Sequence, residues 1–224
     1  MVSIIVPVFN EEKNIEKIIN TLNALEGEKE IIVVDGESQD NTFLYASKLA
    51  YTIKVQKGRA NQMNEGAKAS NGDIVWFVHA DSLLEKDSIK YIEKAVFDGY
   101  VGGGFSIYFY DYNTLFMKYI SVTSNIRSKI SGLFYGDQGV FVKKDVFINL
   151  GGFPKIELME DFKFSRIIRK VGEMKLLEKT IGTSARRYKN GGQVRTHLLM
   201  HKIRIMYFLG ASTSKLNRIY GEAR

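Results

Sequence analysis

The sequence predicts an α/β protein: a Rossmann-like, mostly parallel central sheet flanked by helices, with a small antiparallel portion and a C-terminal helical tail. Three observations lead there. The first hundred residues alternate β-branched apolar runs with segments of helical spacing, and such alternation means crossover connections between parallel strands. The second half breaks that rhythm with "GGGFSIYFY" (102–110), which alternates like a strand with one solvated side. Beyond residue 195 the chain has helical periodicity and is rich in Lys and Arg.

Taken in order, "VSIIVPV" (2–8) is the first strand, rich in the β-branched residues that suit a pleated sheet. Ile15, Ile18, Ile19, Leu22 and Leu25 then recur at helical spacing over 11–25. "EIIVVD" (30–35) is the second strand, and Asp40 or Asn41 caps a helix running to about Ala50. "TIKVQ" (52–56) is the third strand, 60–70 a helix of small residues, and "DIVWFV" (73–78) the fourth strand, followed by a helix over about 86–98. After "GGGFSIYFY" come a long helix over roughly 112–131, "GVFV" (139–142), a short helix and the turn "GGFP" (151–154). A helix near 159–171 and a strand near 174–180 complete the body, and the tail reads as two helices broken near Gly210. No repeat or proline-rich linker intervenes. The expected organisation is one domain over 1–194 and a basic amphipathic tail over 195–224, packed on or near it.

The absence of cysteine excludes disulfides, thiolate metal sites and cysteine nucleophiles. The N-terminus enters a strand at once, without the basic and apolar regions of a signal peptide. No run approaches the ~18 apolar residues that span a bilayer, so the expected location is the cytoplasm. The net charge of +7 belongs to the tail: residues 186–224 hold nine Lys and Arg against one acid, leaving −1 for the rest. Three partners suit that charge: water around a helix face, an anionic membrane surface, or a phosphate-bearing ligand. Nucleic acid does not, because no reader motif accompanies it. Met200, Ile203, Met206, Tyr207 and Phe208 recur at roughly helical spacing. They suit peripheral contact with the inner face of a membrane, bringing a lipid-linked acceptor within reach, or a helix docked on the core with a wet basic face.

Ligands of open parallel sheets sit beyond the carboxyl ends of the strands, where strand order reverses. The polar residues there are Asn10 and Glu11, Asp35, Arg59, and His79 with Asp81. Asp35 can accept hydrogen bonds from a nucleobase imide or ribose hydroxyls, or can belong to a helix-capping turn with Gly36, Ser38 and Asp40. "VGGGF" lacks GxGxxG spacing and there is no GxxxxGK[ST], so phosphate must be held by a metal or cationic side chains. Glu160 and Asp161 open a helix, where the dipole favours acids and where a carboxylate can also act as a general base. His197 and His201 are one helical turn apart without the Glu of HExxH. His201 suits packing or surface, whereas His197 follows the Arg- and Lys-rich loop "TSARRYKNGGQVRT".

"SIIVPVFNEEKNI", "EIIVVDGESQDNT", a small-residue helix ending in "NGD", "HAD", "GDQGVFVKKDVFINLGGFP" and "ELMEDFKFSRIIRKVG" occur in that order. Together, over about residues 2–173, they resemble family-2 glycosyltransferases of the GT-A fold. The "HAD", "GDQ" and "SARRY" variants resemble a subgroup of short, stand-alone bacterial and archaeal members. The resemblance implies that Pro7, Phe9 and Glu11 line the nucleotide pocket, that Asp35 binds the base, and that Arg59, with Gln62 and Asn64, lies near the nucleotide. It implies that Asp81, second carboxylate of an Asp-x-Asp motif, ligates Mg²⁺ or Mn²⁺ on the diphosphate. Asp161, beside Glu160, becomes the catalytic base, and Gly136, Asp137 and Gln138 the loop that meets acceptor and sugar. His79 replaces the first aspartate and can bond a ribose hydroxyl or ligate the ion, with His197 as a further ligand.

The implied reaction is metal-assisted, inverting transfer from a UDP- or GDP-sugar to an unidentified acceptor hydroxyl. The alternative is a catalytically silent nucleotide-sugar-binding protein of the same fold, for which the substituted first aspartate speaks. Acids retained at three ends of one pocket speak for the enzyme. A nucleotidyltransferase would need a basic loop after the first strand, and "PVFNEEKN" is acidic there.

Overall fold

Each strand expected in the first hundred residues is present in the computed structural model, which describes residues 1–222; Arg224, counted in the tail charge, lies outside them. The chain runs β1 (Val2–Val8), α1 (Ile15–Asn23), β2 (Lys29–Asp35), α2 (Thr42–Ser47), β3 (Tyr51–Lys54), α3 (Arg59–Ala69), β4 (Ile74–Phe77) and α4 (Ser88–Phe97). It continues with β5 (Gly102–Phe109), α5 (Leu115–Ser131), a 3₁₀ turn (Gly136–Gln138), β6 (Phe141–Lys143), α6 (Lys144–Asn149), α7 (Glu160–Ile168) and β7 (Met174–Thr183). Three helices close it: α8 (Arg186–Gly191), α9 (Gln193–Phe208) and α10 (Thr213–Glu222). Helix α8 falls where the sequence reads as a polar loop, because its six residues are too few to show periodicity. Asn41 occupies the N-cap position of α2 without a side-chain cap bond, and the carboxylate of Asp40 just before it accepts the Thr42 N–H at 3.0 Å.

The seven strands lie in the order β3-β2-β1-β4-β6-β5-β7. The first four are mutually parallel, β6 runs antiparallel to both β4 and β5, and β5 pairs parallel with β7. This is the mostly parallel sheet with a small antiparallel portion. Both faces are covered, so alternate residues of one strand enter different cores. Ile4 and Trp76 pack against Ile15, Ile19 and Leu22 of α1 and Ile89 and Ile92 of α4. Ile5 and Phe77 pack against Met63 of α3, Phe147 of α6 and Phe164 of α7. That double burial is why the strands read as unbroken apolar runs. Small residues in α3 let it lie close to the sheet: a Cβ on Gly66 would be 2.5 Å from Ile5 Cγ2.

Gln62 and Asn64, polar residues of α3, are tied to backbone. Gln62 Nε2 donates to Val8 O (2.7 Å) and Val34 O (2.9 Å), clasping the ends of β1 and β2. Asn64 donates to Phe153 O and accepts from Phe153 N–H, both at 2.8 Å, fixing the "GGFP" turn. Truncating it strands both buried backbone groups. Asn64→Ala is expected to destabilise the fold by about 1–3 kcal/mol, read as a lower urea midpoint with an unchanged m-value.

The tail docks on the body. Ile203 and Leu216 are buried with Met159 and Phe162, and Met206 and Tyr207 pack on that cluster. The inward face of α9 is therefore the apolar spacing at Ile203, Met206 and Tyr207. Among the described residues no helix is long and apolar enough to cross a membrane.

Candidate functional site

Strand order reverses between β1 and β4, and the loops that leave β1 and β2 there are tied to each other. Asn10 (φ 54°) donates its N–H to Ser38 Oγ at 2.9 Å and accepts the Gln39 N–H at 2.9 Å. Glu11 donates its N–H to Thr42 Oγ1 (2.8 Å), while its carboxylate accepts from Asn14 Nδ2 (2.7 Å) at the head of α1. Pro7 and Phe9 are half-buried on the same rim. The Lys57 ammonium lies 3.5 Å from the centroid of the Phe9 ring, a cation–π contact that sets a positive charge at the pocket edge.

Asp35 ends β2 with no exposure at all. Its Oδ2 accepts the Ser38 N–H at 3.0 Å, which is the turn-capping role. Its Oδ1 is buried and has no hydrogen-bond partner. Leaving such an acceptor unsatisfied costs about 1–3 kcal/mol, so the site has a standing demand for one donor. The two readings of Asp35 thus fall on two oxygens of one carboxylate.

Arg59, the first residue of α3, joins three segments. Its Nη2 lies 2.5 Å from His79 Nε2 and its Nε 3.4 Å from Glu160 Oε1. A guanidinium only donates, so His79 Nε2 is the acceptor and the ring is neutral. Burial first, then the Arg59 charge, holds His79 well below its ordinary pKa. Gly136 lets the Arg59 guanidinium lie against the loop, since a Cβ there would stand 1.8 Å from Arg59 Nη2 and would have to displace it. The Gly136 N–H donates to Asp161 Oδ2 at 2.7 Å, and Oδ1 of the same carboxylate accepts the Phe162 N–H. Glu160, only 6% exposed, is pushed up to about 7 by burial, with Arg59 opposing and Asp161 adding to the rise. Burial likewise raises Asp137.

Gln138 is fully buried, and its amide holds the loop to the sheet and to α5. It accepts from Ser128 Oγ (2.8 Å), Arg127 Nη2 (3.1 Å) and Tyr135 N–H (3.2 Å) and donates to Phe105 O (3.2 Å). Arg127, which the sequence reading passed over, stacks 4.1 Å from the centroid of Tyr135. Of the loop's three residues, Gly136 and Gln138 shape it, and Asp137 carries its charge.

Asp81 follows β4. Burial raises its pKa, the charge of Arg186 opposes that rise and Asp111 adds to it. Among the described residues no other residue donates a hydrogen bond to its carboxylate, which borders a groove with Asn14, Lys17 and Tyr110. Asp111 was also missed, although an acid just past a strand is the signal that singled out Asp35. It accepts from Ser184 Oγ (2.9 Å) and Ala185 N–H (2.7 Å) and lies 3.4 Å from Lys189 Nζ. Those bonds anchor the start of α8, from which the exposed Arg186 acts on Asp81 through its charge. Arg187 turns the other way, stacking 3.4 Å from the Tyr220 centroid and donating to Tyr220 O at 3.1 Å.

The three expected metal ligands are not assembled into one group. His79 and Asp81 share a sheet edge, but His79 Nε2 meets Arg59. His197 Nε2 lies 3.0 Å from His201 Nε2, and its ring contacts Phe116 and Tyr119 of α5. Among the described residues no three His, Asp or Glu form a group able to hold a metal. The donor set is one unpartnered carboxylate, Asp81. It fits a divalent ion whose other ligands are water and a diphosphate, and does not fit an all-protein cage.

Comparison with known proteins places this geometry. The family model described as "Glycosyl transferase family 2" matches residues 3–153. Dolichol-phosphate mannosyltransferase of Pyrococcus furiosus is 30% identical over 214 residues, spanning 80% of this chain and 60% of that protein. Poly-beta-1,6-N-acetyl-D-glucosamine synthase of Staphylococcus epidermidis is 30% identical over 99 residues, 41% of this chain and 24% of that one. The chain thus spans 60% and 24% of these relatives' lengths, less than two thirds of either. Among solved structures, mannosyltransferase PcManGT from Pyrobaculum calidifontis, in complex with GDP-Man and Mn²⁺, aligns with a TM-score of 0.70 at 21% identity, over 99% of this chain and 68% of that one. Glucosyl-3-phosphoglycerate synthase from Mycobacterium tuberculosis aligns with a TM-score of 0.58 at 17% identity, over 82% and 70%. At these identities the likeness is one of fold, the GT-A arrangement.

Proposed function

This chain belongs to glycosyl transferase family 2, and from that premise we propose that it transfers a sugar from a nucleoside-diphosphate sugar to an acceptor hydroxyl in a single inverting displacement. The observation that carries the proposal is the unpartnered, buried Oδ1 of Asp35 at the end of β2. A base imide N–H is the donor it lacks, with Pro7 and Phe9 beside it. Uracil and guanine both present such a donor, so UDP- and GDP-sugars are the candidate substrates. The relative that binds GDP-Man with Mn²⁺ supports a donor of this class.

Arg59 and Arg186 supply charge for the diphosphate, Arg186 being the free-facing member of its pair while Arg187 holds α10. Asp81 would hold a divalent ion together with diphosphate oxygens and water. Bound there, the ion supplies Lewis-acid stabilisation of the departing diphosphate. Asp161, oriented by the Gly136 N–H, takes the acceptor hydroxyl proton as that oxygen bonds the anomeric carbon. The bond from that carbon to the diphosphate breaks on the opposite face, with inversion. Glu160, holding its proton to about pH 7, spares Asp161 a like charge next door and positions Arg59. Asp137 faces the acceptor side. The catalytic domain is taken as 1–194 and the tail as 195–224.

A silent nucleotide-sugar-binding protein is the second reading, favoured by the Arg59 contact that engages His79 Nε2. A thermal-shift panel of UDP, GDP, dTDP and CDP with and without Mn²⁺ separates the readings. UDP or GDP is expected to raise the melting temperature, more so with Mn²⁺, and Mn²⁺ alone very little. Saturation at a hundredfold excess over Kd is worth about 2.7 kcal/mol. Asp81→Asn should erase the Mn²⁺-dependent part only. Stabilisation without sugar transfer to any acceptor or to water supports the silent protein, and no response to any nucleotide removes both readings.

A further inference from the structure

We propose that the outer face shared by α5 and α9 docks on an anionic membrane surface. This inference is independent of the sugar-transfer reading, since it uses none of the residues at the sheet edge. Helix α5 is held to the body by Met117 and Ile120. On its opposite side Leu115, Val122, Ile126 and Ile130 form one stripe at helical spacing, with Leu115 85% and Ile130 80% exposed. Helix α9 repeats the pattern: Ile203 is buried against the body, while Val194, Leu198 and Ile205 are exposed on the other side. The stripes adjoin, because Tyr119 of α5 is in ring contact with His197 of α9, at 6.1 Å between centroids. Apolar surface this continuous on a folded chain marks an interaction site.

Charge identifies the partner. Helix α5 contributes Lys118 and Lys129 to its outer side, and α9 contributes Arg195 and Lys202; neither helix holds a single Asp or Glu. Lys118 and Lys129 lie on one flank of the α5 stripe, Arg195 and Lys202 on one flank of the α9 stripe, and all four are exposed. A second copy of this face would set cation against cation with no carboxylate between them, which disfavours self-association. Anionic headgroups beside acyl chains match both features at once: the apolar stripe enters the interface and the flanking cations meet phosphate. The face differs from the apolar set predicted from the tail sequence, whose Ile203, Met206 and Tyr207 point into the body.

The test is co-sedimentation of the full chain with vesicles of phosphatidylcholine and phosphatidylglycerol in a two-to-one mixture, against vesicles of phosphatidylcholine alone. The parent is expected to pellet with the anionic vesicles, to stay in solution with the neutral ones, and to be released by high salt. Ile126→Glu with Ile130→Glu should lower partition roughly tenfold, and Lys118→Glu with Lys129→Glu by a similar factor. Both pairs are exposed, so melting temperature and nucleotide-induced stabilisation should match the parent. Equal binding to neutral vesicles, no binding to either, or an isoleucine variant that binds like the parent overturns the proposal. So does a dimer in sedimentation equilibrium that Ile126→Glu dissociates, without vesicle binding by the parent. A parent that binds vesicles but no nucleotide would sink the sugar-transfer reading and leave this one standing.

Discussion

Asp161→Asn is expected to lower turnover by roughly 10²–10⁴-fold, the range for loss of a general base. The Asn carbonyl can still accept the Gly136 N–H that Asp161 Oδ2 accepts at 2.7 Å, so the loop stays where it is. What disappears is the ability to take a proton. Because that interaction strengthens only as the acceptor oxygen loses its hydrogen, kcat should fall while the donor KM and the nucleotide-induced thermal shift stay near parent values. Turnover within a few-fold of the parent would remove Asp161 from the role. Glu160→Gln is the control in the same turn of α7. It keeps Asp161 intact and should cost far less activity, since Glu160 acts through Arg59.

The fold was legible because both faces of the sheet are buried, which leaves long β-branched runs ending in polar residues. The site was legible only as far as each residue's chemistry is local. Asp35 could not be decided from sequence, since its two oxygens do different things. Gln62 and Asn64 have the right chemistry for a nucleotide, but their partners lie 54 and 89 residues away in sequence. No spacing reports such contacts. His79 reads as a spare metal ligand until Arg59, brought over by the β3–α3 crossover, is found against its Nε2. Arg127 carries no motif that singles it out in sequence, yet it lies on Tyr135 and holds the loop. In the tail, periodicity detected one apolar stripe of α9 and concealed the other, because a helix apolar on two sides has no single face to find.

Stability against pH should carry a signature of Glu160 that Glu160→Gln removes. An unfolded Glu titrates near 4.5, whereas burial among the residues at the head of α7 holds this carboxyl to about 7. Between those values the native protein keeps a proton that the unfolded chain has released, so unfolding releases protons and stability falls as pH rises. The sign is the reverse of the usual salt-bridged acid: full stability below about pH 4.5, a decline from there to about 7, and a plateau above. At ~1.4 kcal/mol per pH unit the decline is on the order of 3 kcal/mol. Glutamine copies the protonated form and has no charge to bury. Arg59, 40% exposed along its side chain, can be hydrated without the Glu160 carboxylate, so the variant strands no buried cation. Urea denaturation of parent and variant across pH 4.5 to 8 should therefore give curves that coincide at the acid end and separate toward neutral, with Glu160→Gln the more stable. Parallel curves would show that Glu160 ionises in the folded protein as readily as in water. Arg59 would then be the stronger influence on it, and the division of labour between a proton-holding Glu160 and a proton-accepting Asp161 would fail.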